Sequence, residues 1–316
     1  MAEKNKVQYS VVVPVYNSEG SLKLLHQRLT NVFGSLGNQW ELILVNDCSR
    51  DGSWKAMQDL ANLDTKVTAI NLTNNFGQHN AIMCGLSHAN GDYAITMDDD
   101  LQHPPEEITK LIKTITAGNY NVVYGQYITK RHGWFRDIVS KMVNKVISKI
   151  TGSGYRVTSF RIINCHVVKK MIGFKQYNVM IDVLIKDIVH KSKVGHCRVE
   201  HHSRRIGKSN YSFGKLCSYM LNMIFNYTLW PLRLAAILGL LFSFISFSFF
   251  IYVLFYYVIY GIPVSGWTSI AILMSGFSGI TLSMLGMIGE YVGRIFLNIN
   301  HKPQYFVMEV FRGKQK

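Results

Sequence analysis

The sequence predicts an α/β sheet domain over positions 1–210, followed by a hairpin of two membrane-crossing helices. Three observations lead there. Between position 7 and about position 125, short apolar strand-like runs alternate with helical patterns, the order expected of a sheet covered by helices. Two later runs carry almost no charge for longer than the ~20 residues a helix needs to cross a bilayer. The run Tyr93-Ala94-Ile95-Thr96-Met97 ends in three consecutive carboxylates, Asp98-Asp99-Asp100. The carboxyl end of a strand is where open α/β sheets bind ligands.

The elements follow in order. Val7–Val15 is a valine-rich strand. Ser18–Phe33 is a helix, with Leu22, Leu25, Leu29 and Val32 at helical spacing. Trp40–Val45 is a strand running into Asn46-Asp47-Cys48-Ser49-Arg50-Asp51-Gly52-Ser53. Ser53–Leu63 is helical and Val67–Leu72 is a strand. Asn75-Phe76-Gly77-Gln78-His79-Asn80 opens a helix through Leu86. The strand before Asp98 is followed by a helix over Glu106–Ala117 and a strand over Tyr120–Tyr124. No repeat or low-complexity segment interrupts the pattern.

The C-terminal third is apolar. From Leu232 to Tyr260 the only charge is Arg233, and Trp267–Gly289 has none. The expected spans are 234–260 and 267–289, joined by the uncharged turn 261–266. The chain thus divides into a sheet domain (1–210), a juxtamembrane interface helix (211–231), a hairpin (232–293) and a tail (294–316). Trp134–Ile150 and Tyr211–Trp230 mix aromatic and basic residues at helical spacing, as helices lying in a membrane interface do, the plain alternative for each being an ordinary core-facing helix. Lys208, Lys215 and Arg233 precede the first span, and Arg294, Lys302, Arg312, Lys314 and Lys316 follow the second. The connecting turn has no basic residue. The positive-inside rule then puts the sheet domain and both termini in the cytoplasm, and no N-terminal signal peptide is visible. The five cysteines, Cys48, Cys84, Cys165, Cys197 and Cys217, form no C-x-x-C pair and suit a reducing compartment. The formal net charge of +15 points to an anionic partner. The apolar runs direct it to lipid and phosphate rather than to nucleic acid.

The three carboxylates suggest chemistry. On an extended backbone Asp98 and Asp100 project to one side and Asp99 to the other. Two converging carboxylates call for a cation, and hard oxygens select Mg²⁺ or Mn²⁺, ions that commonly hold substrate phosphates as well. The plainer alternative is an acidic turn capping the helix after Pro104-Pro105. A Rossmann dinucleotide site is disfavoured, because the first strand ends in Val13-Pro14-Val15-Tyr16-Asn17 with no G-x-G-x-x-G. His196-Cys197 and His201-His202 lack the ligand spacing of a zinc site.

Val12-Val13-Pro14-Val15-Tyr16-Asn17, Asn46-Asp47-Cys48-Ser49-Arg50-Asp51, Asn75-Phe76-Gly77-Gln78-His79 and Asp98-Asp99-Asp100-Leu101-Gln102-His103-Pro104-Pro105-Glu106 resemble successive motifs of family 2 glycosyltransferases with the GT-A fold. Within that family the chain is most similar to the polyprenyl-phosphate glycosyltransferases, which include dolichyl-phosphate mannosyltransferase, bactoprenol glucosyltransferases and undecaprenyl-phosphate aminoarabinose transferases. Arg204-Arg205-Ile206-Gly207-Lys208-Ser209-Asn210-Tyr211 resembles their R-x-x-G-x-S-x-Y segment. Gly286–Arg294 resembles the end of their second membrane helix, and Lys302-Pro303-Gln304-Tyr305 resembles their tail. The set covers almost the whole chain, in order.

The resemblance implies metal-dependent, inverting transfer of a sugar from a nucleotide-sugar, a UDP-sugar above all, to a polyprenyl phosphate such as undecaprenyl phosphate. The reaction would occur at the cytoplasmic face of the inner membrane and supply lipid-linked sugar for envelope glycans. Pro14, Tyr16, Glu19, Asp47, Gln78, Asp98 and Asp99 would bind the nucleotide-sugar. Asp100, with Asp98, would hold Mg²⁺ or Mn²⁺. Arg204, Gly207, Lys208 and Ser209 would bind phosphate, and a homo-oligomer, a tetramer, is implied as well. Many members carry an Asp shortly before a Phe-Arg pair, whereas here the segment reads Tyr155-Arg156-Val157-Thr158-Ser159-Phe160-Arg161, with Ser159 or Tyr155 in the place of that Asp. That leaves Arg161 to orient the acceptor phosphate and Asp182 as a substitute carboxylate, the helix-surface acid being its plain alternative. Asp100, Arg204, Asp182 and Arg161 are the expected catalytic set. Rival readings are a glycosyltransferase that extends a glycan and a non-catalytic membrane scaffold or transporter. The processive version of the first lacks its Q-x-x-R-W, since no Arg-Trp pair occurs.

Overall fold

Tyr9–Val15 (β1) is buried along its whole length, as a strand covered on both faces must be. The computed structural model describes residues 7–127, 158–174, 179–200, 230–260, 266–299 and 303–313. In it, β1 pairs in parallel with Trp40–Asn46 (β2) on one side and with Tyr93–Thr96 (β4) on the other. Val67–Leu72 (β3) lies parallel beyond β2, and Val307–Arg312 (β8) runs antiparallel along β3. On the far side, Arg161–Asn164 (β6) is antiparallel to β4, Val122–Tyr127 (β5) is antiparallel to β6, and Val194–Val199 (β7) is parallel to β5. The eight-stranded order is β7-β5-β6-β4-β1-β2-β3-β8.

Side-chain alternation divides the core in two. Val11, Val13 and Val15 of β1 join a cluster with Leu22, Leu25 and Leu29 of Glu19–Leu36 (α1), Met57 and Leu60 of Ser53–Leu63 (α2), and Leu111 and Ile115 of Ile108–Ala117 (α4). Val12 faces the other way, toward Ala81 and Leu86 of Gln78–Ser87 (α3), Val167 and Met171 of Cys165–Ile172 (α5), and Leu184 and Ile185 of Ile181–Ile188 (α6). Helix α1 stops at Gly37, whose φ of 66° is left-handed and whose N–H closes on the Phe33 carbonyl.

The chain winds outward from β1 to β2 to β3, then crosses back to β4 on the opposite flank of β1. The order therefore reverses between β1 and β4, and the crevice beyond their carboxyl ends is the ligand position of such sheets. Pro14 keeps it open. Alternate residues of β1 address alternate neighbours: Val12 O accepts from Met97 on the β4 side, and Val15 O accepts from Asp47 on the β2 side. Pro14 thus faces the β4 side, where β4 has already ended opposite Val12. It has no N–H to leave unpaired there.

Residues 1–210 with 301–316 form one compact unit and 211–300 form the other. The second contains Trp230–Tyr260 (α7, 31 residues) and Trp267–Ile299 (α8, 33 residues). Phe242 meets Phe277 edge-on with centroids 6.4 Å apart, while Met284 lies over Gly239. The contacts run in opposite directions, so the helices are antiparallel. Pro231–Phe249 is long and apolar enough to cross a membrane, with mean hydropathy 2.0.

Several expectations need correction. The strand before the carboxylates stops at Thr96, one residue short of the expected run, and Asp99 and Asp100 lie on the turn that follows. Asp98 and Asp99 still address different partners, Gln78 and Ser159 for the first and Tyr16 N–H for the second. Helix α8 continues to Ile299, past the expected end of the second span. The tail is not a separate appendage, because its residues 307–312 are a strand of the sheet. The expected interface helix over 134–150 lies outside the described residues, as does the one over 211–231 except for Trp230 and Pro231, which open α7.

Candidate active site

Four loops meet at the carboxyl ends of the parallel strands. Three bear a non-glycine residue with positive φ: Asn17 after β1, Cys48 after β2 and Leu101 after β4. Backbone strain of this kind persists where the surroundings hold it in place, and it gathers at functional sites.

The first two loops are laced together. Asn17 N–H donates to Ser49 Oγ at 3.0 Å, and Arg50 N–H donates to Asn17 Oδ1 at 2.8 Å. Ser18 N–H donates to Ser53 Oγ at 2.9 Å. Glu19 donates its N–H to Asp51 Oδ2 at 3.2 Å, and its own Oε2 accepts from Gly52 N–H at 3.1 Å. A β-carbon at Gly52 would lie 2.5 Å from that carboxylate, so any other residue there would displace the Glu19 side chain. Glu19 was expected in the nucleotide pocket; here its carboxylate satisfies an open N–H just before α2.

Asp47 is likewise committed to structure. It is 4% exposed, and its two oxygens accept from Phe76 N–H at 2.7 Å and Gly77 N–H at 2.9 Å. Asn75 Nδ2 adds a bond to the Asp47 carbonyl at 3.1 Å. Burial raises the Asp47 pKa, opposed by the two N–H bonds. The carboxylate expected to bind the base thus fixes the loop that starts α3.

That loop delivers Gln78 to the third. Gln78 Nε2 donates to Asp98 Oδ1 at 2.5 Å, and Ser159 Oγ donates to Asp98 Oδ2 at 2.6 Å. Asp99 Oδ2 accepts from Tyr16 N–H at 3.2 Å, which bridges the crevice between β1 and β4. Burial pushes the Asp99 pKa to about 6, against the lowering effect of bonds from Ser18 and Tyr16. Asp100 Oδ1 accepts from Gln102 N–H at 3.1 Å. The Tyr16 side chain stays 38% exposed at the rim.

Behind Asp98 runs a buried polar chain. Thr96 Oγ1 donates to the Ser159 carbonyl at 2.6 Å and accepts from Arg161 Nε at 3.1 Å. Arg161 Nη1 donates to Asp182 Oδ1, which also accepts from Tyr124 hydroxyl at 3.2 Å. Arg161 is 1% exposed and Asp182 9%. This corrects the expectation that Arg161 orients the acceptor and that Asp182 is a substitute base or a surface acid: each neutralises the other inside the domain. Nearby, burial holds His79 below the usual histidine range. Its Nδ1 is buried with no hydrogen-bond partner among the described residues. Arg204, Gly207, Lys208 and Ser209 lie outside the described residues.

Among the described residues, no three His, Cys, Asp or Glu side chains form a ready-made metal cage. A cation of the Mg²⁺ kind needs none, since it binds through one or two carboxylates and completes its shell with water and substrate phosphates. The oxygen donors of Asp98 and Asp100 fit that mode.

The doubly covered mixed sheet, with its acidic crevice at the switch point, is of the GT-A type found in glycosyltransferases. The chain belongs to glycosyl transferase family 2, whose model matches residues 10–179. It is 36% identical over 316 residues to an undecaprenyl-phosphate 4-deoxy-4-formamido-L-arabinose transferase of Proteus mirabilis, covering 98% of this chain and 95% of that protein. It is 35% identical to the protein of the same name from Aeromonas hydrophila, covering 96% and 94%. Among solved structures, glucosyl-3-phosphoglycerate synthase from Mycobacterium tuberculosis bound to phosphoglyceric acid is similar in fold, with a TM-score of 0.51 at 13% identity. That likeness covers 69% of this chain and 78% of the synthase.

Proposed function

We propose that the protein transfers a sugar from a nucleotide-sugar, most simply a UDP-sugar, to undecaprenyl phosphate at the cytoplasmic face of the inner membrane. The product is a lipid-linked sugar for envelope modification. One observation carries the reading: the likeness to undecaprenyl-phosphate transferases extends over 98% of the chain, the apolar helices included. A likeness confined to the sheet would support only sugar transfer to some acceptor.

In this reading the acceptor phosphate oxygen bonds to the anomeric carbon from the face opposite the leaving group, and the configuration inverts. The bond from that carbon to the nucleoside diphosphate breaks, and the diphosphate keeps the electron pair. A phosphate monoester has its second pKa near ~6, so at neutral pH it is already largely the competent anion. It needs orientation and matching charge more than a base, which suits a buried, neutralised Asp182. Asp100, with Asp98 beside it, would hold a divalent metal, whose contribution is to neutralise charge on the departing diphosphate. Tyr16, exposed at the rim, is the side chain available to stack on the base. Arg204 and Lys208 would meet phosphate.

The fold supports two crossings rather than one. β3 and β8 belong to one sheet, so the chain returns after α8 to the side it left before α7. The test is a donor screen with the purified protein in vesicles containing undecaprenyl phosphate. The screen includes the UDP-linked 4-deoxy-4-formamido-L-arabinose that the relatives' names suggest, with light scattering on the same preparation to read any tetramer. Lipid-linked sugar from one donor is the expected result. Turnover only with a non-lipid acceptor would overturn the proposal in favour of glycan extension.

A further inference from the structure

The Asp98 carboxylate is held at both oxygens by uncharged donors from two different parts of the chain, Gln78 on α3 and Ser159 just before β6. We propose that Ser159 is a positioning residue: with Gln78 it fixes the orientation of Asp98, and the buried chain through Thr96, Arg161 and Asp182 exists to hold Ser159 in place.

Each link is anchored by the next. The Ser159 backbone is fixed opposite Asp98, because its carbonyl accepts from Thr96 Oγ1, and from there its hydroxyl reaches Asp98 Oδ2. Thr96, on β4 and fully buried, is held by Arg161 Nε. Arg161 is locked by Asp182 and lies over the Tyr124 ring, 5.8 Å from its centroid. Its positive charge also interacts with Asp98 itself. A buried ion pair is a poor source of stability, because desolvation offsets its attraction. It is a good source of fixed geometry, since few rotamers keep every partner satisfied. Ser159 also occupies the place before Phe160-Arg161 with a side chain that donates. A carboxylate there would face Asp98 at hydrogen-bond distance and repel it.

The test has two arms. The first needs no metal, donor or acceptor. Thermal unfolding is followed for the full chain, Ser159→Ala, Asp98→Ala and the double variant, all in chelator. Coupling is expected, the double variant losing clearly less than the sum of the singles. Additive losses would overturn the proposal. The second arm rests on the proposed glycosyl transfer. Ser159→Ala should lower kcat/KM for the nucleotide-sugar ~10–100-fold, the scale of a hydrogen bond to a charged group. The KM for undecaprenyl phosphate should stay within about twofold, and Ser159→Thr, which keeps the hydroxyl, should recover most of the loss. Unchanged donor kinetics in Ser159→Ala, or an equal loss toward both substrates, would sink the proposal. A wild-type protein that transfers nothing would count against the proposed function instead, and the thermal arm would still decide the role of Ser159.

Discussion

Arg161 and Asp182 meet on adjacent buried elements, the guanidinium of β6 donating to the carboxylate in the first turn of α6. Removing one partner strands the other's charge, which typically costs about 3–5 kcal/mol. Arg161→Ala and Asp182→Leu should each lose stability on that scale in denaturant unfolding of the full chain. Arg161→Met combined with Asp182→Leu should regain most of it. A single variant within 1 kcal/mol of wild type, taken as roughly the spread of ordinary surface substitutions, would refute the buried pair.

Asp47 should behave as a scaffold. Asp47→Ala leaves two N–H groups without their acceptor, at about 1–3 kcal/mol for each group that stays buried. Gln78 would lose its fixed origin as well. The expected result is a lower melting temperature and a raised KM for the nucleotide-sugar, with the KM for the lipid little changed. Asp47→Asn, which keeps one acceptor, should fall between. Normal stability combined with loss of donor binding would instead assign Asp47 to the base.

Asp99 gives the protein a pH-dependent cost. Its folded pKa, about 6, is raised above the ordinary carboxylate value, so ionisation opposes folding. Stability from this group is fully present below about pH 4 and is lost as pH rises through 6. Asp99→Asn keeps an acceptor for Tyr16 N–H and removes the charge. In metal-free protein it should raise the melting temperature at pH 8 and leave it nearly unchanged at pH 4. An equal shift at both values would show that charge is not the cause.

Asp100→Asn should leave the protein folded and reduce turnover at least ~100-fold, the scale of losing a key electrostatic contact. Chelator should abolish transfer, and Mg²⁺ or Mn²⁺ should restore it. Full turnover in chelator would remove the metal from the proposal.

Cysteine introduced within 261–266 should be labelled from outside intact cells, while a C-terminal tag stays protected. Labelling of the tag from outside would reverse the orientation. Protection of both would leave the turn short of the far surface.

What was readable in the sequence was what is local. β1 to β5 follow from apolar runs and turn residues, and α1 from leucines three and four apart. Four-residue β6 is too short to carry a period, and β8 exposes most of its side chains, so neither announces itself. The site was legible as a set of motifs but not as a set of contacts. Nothing in Asp47 says that its oxygens will be taken by Phe76 and Gly77, and nothing in Arg161 points to Asp182. Those pairings are made by the crossing back from β3 to β4 and by the packing of α6 against that face. Asp98–Asp100 follow the end of β4 at Thr96, so where each carboxylate goes is set by Gln78, Ser159 and Tyr16 rather than by a strand period.

β8 has a consequence for how the molecule is made. Asn71 of β3 and Met308 of β8 are 237 positions apart, and both long apolar helices are synthesised between them. β3 therefore leaves the ribosome early with one edge open, carrying the buried apolar residues Val67, Ala69, Ile70 and Leu72. An unpaired strand edge is a template for wrong partners. It stays open until the helices have emerged and the last strand arrives. Closure of the sheet thus waits for both apolar helices, and a delay in placing them would prolong the aggregation-prone stage of a domain otherwise ready to fold.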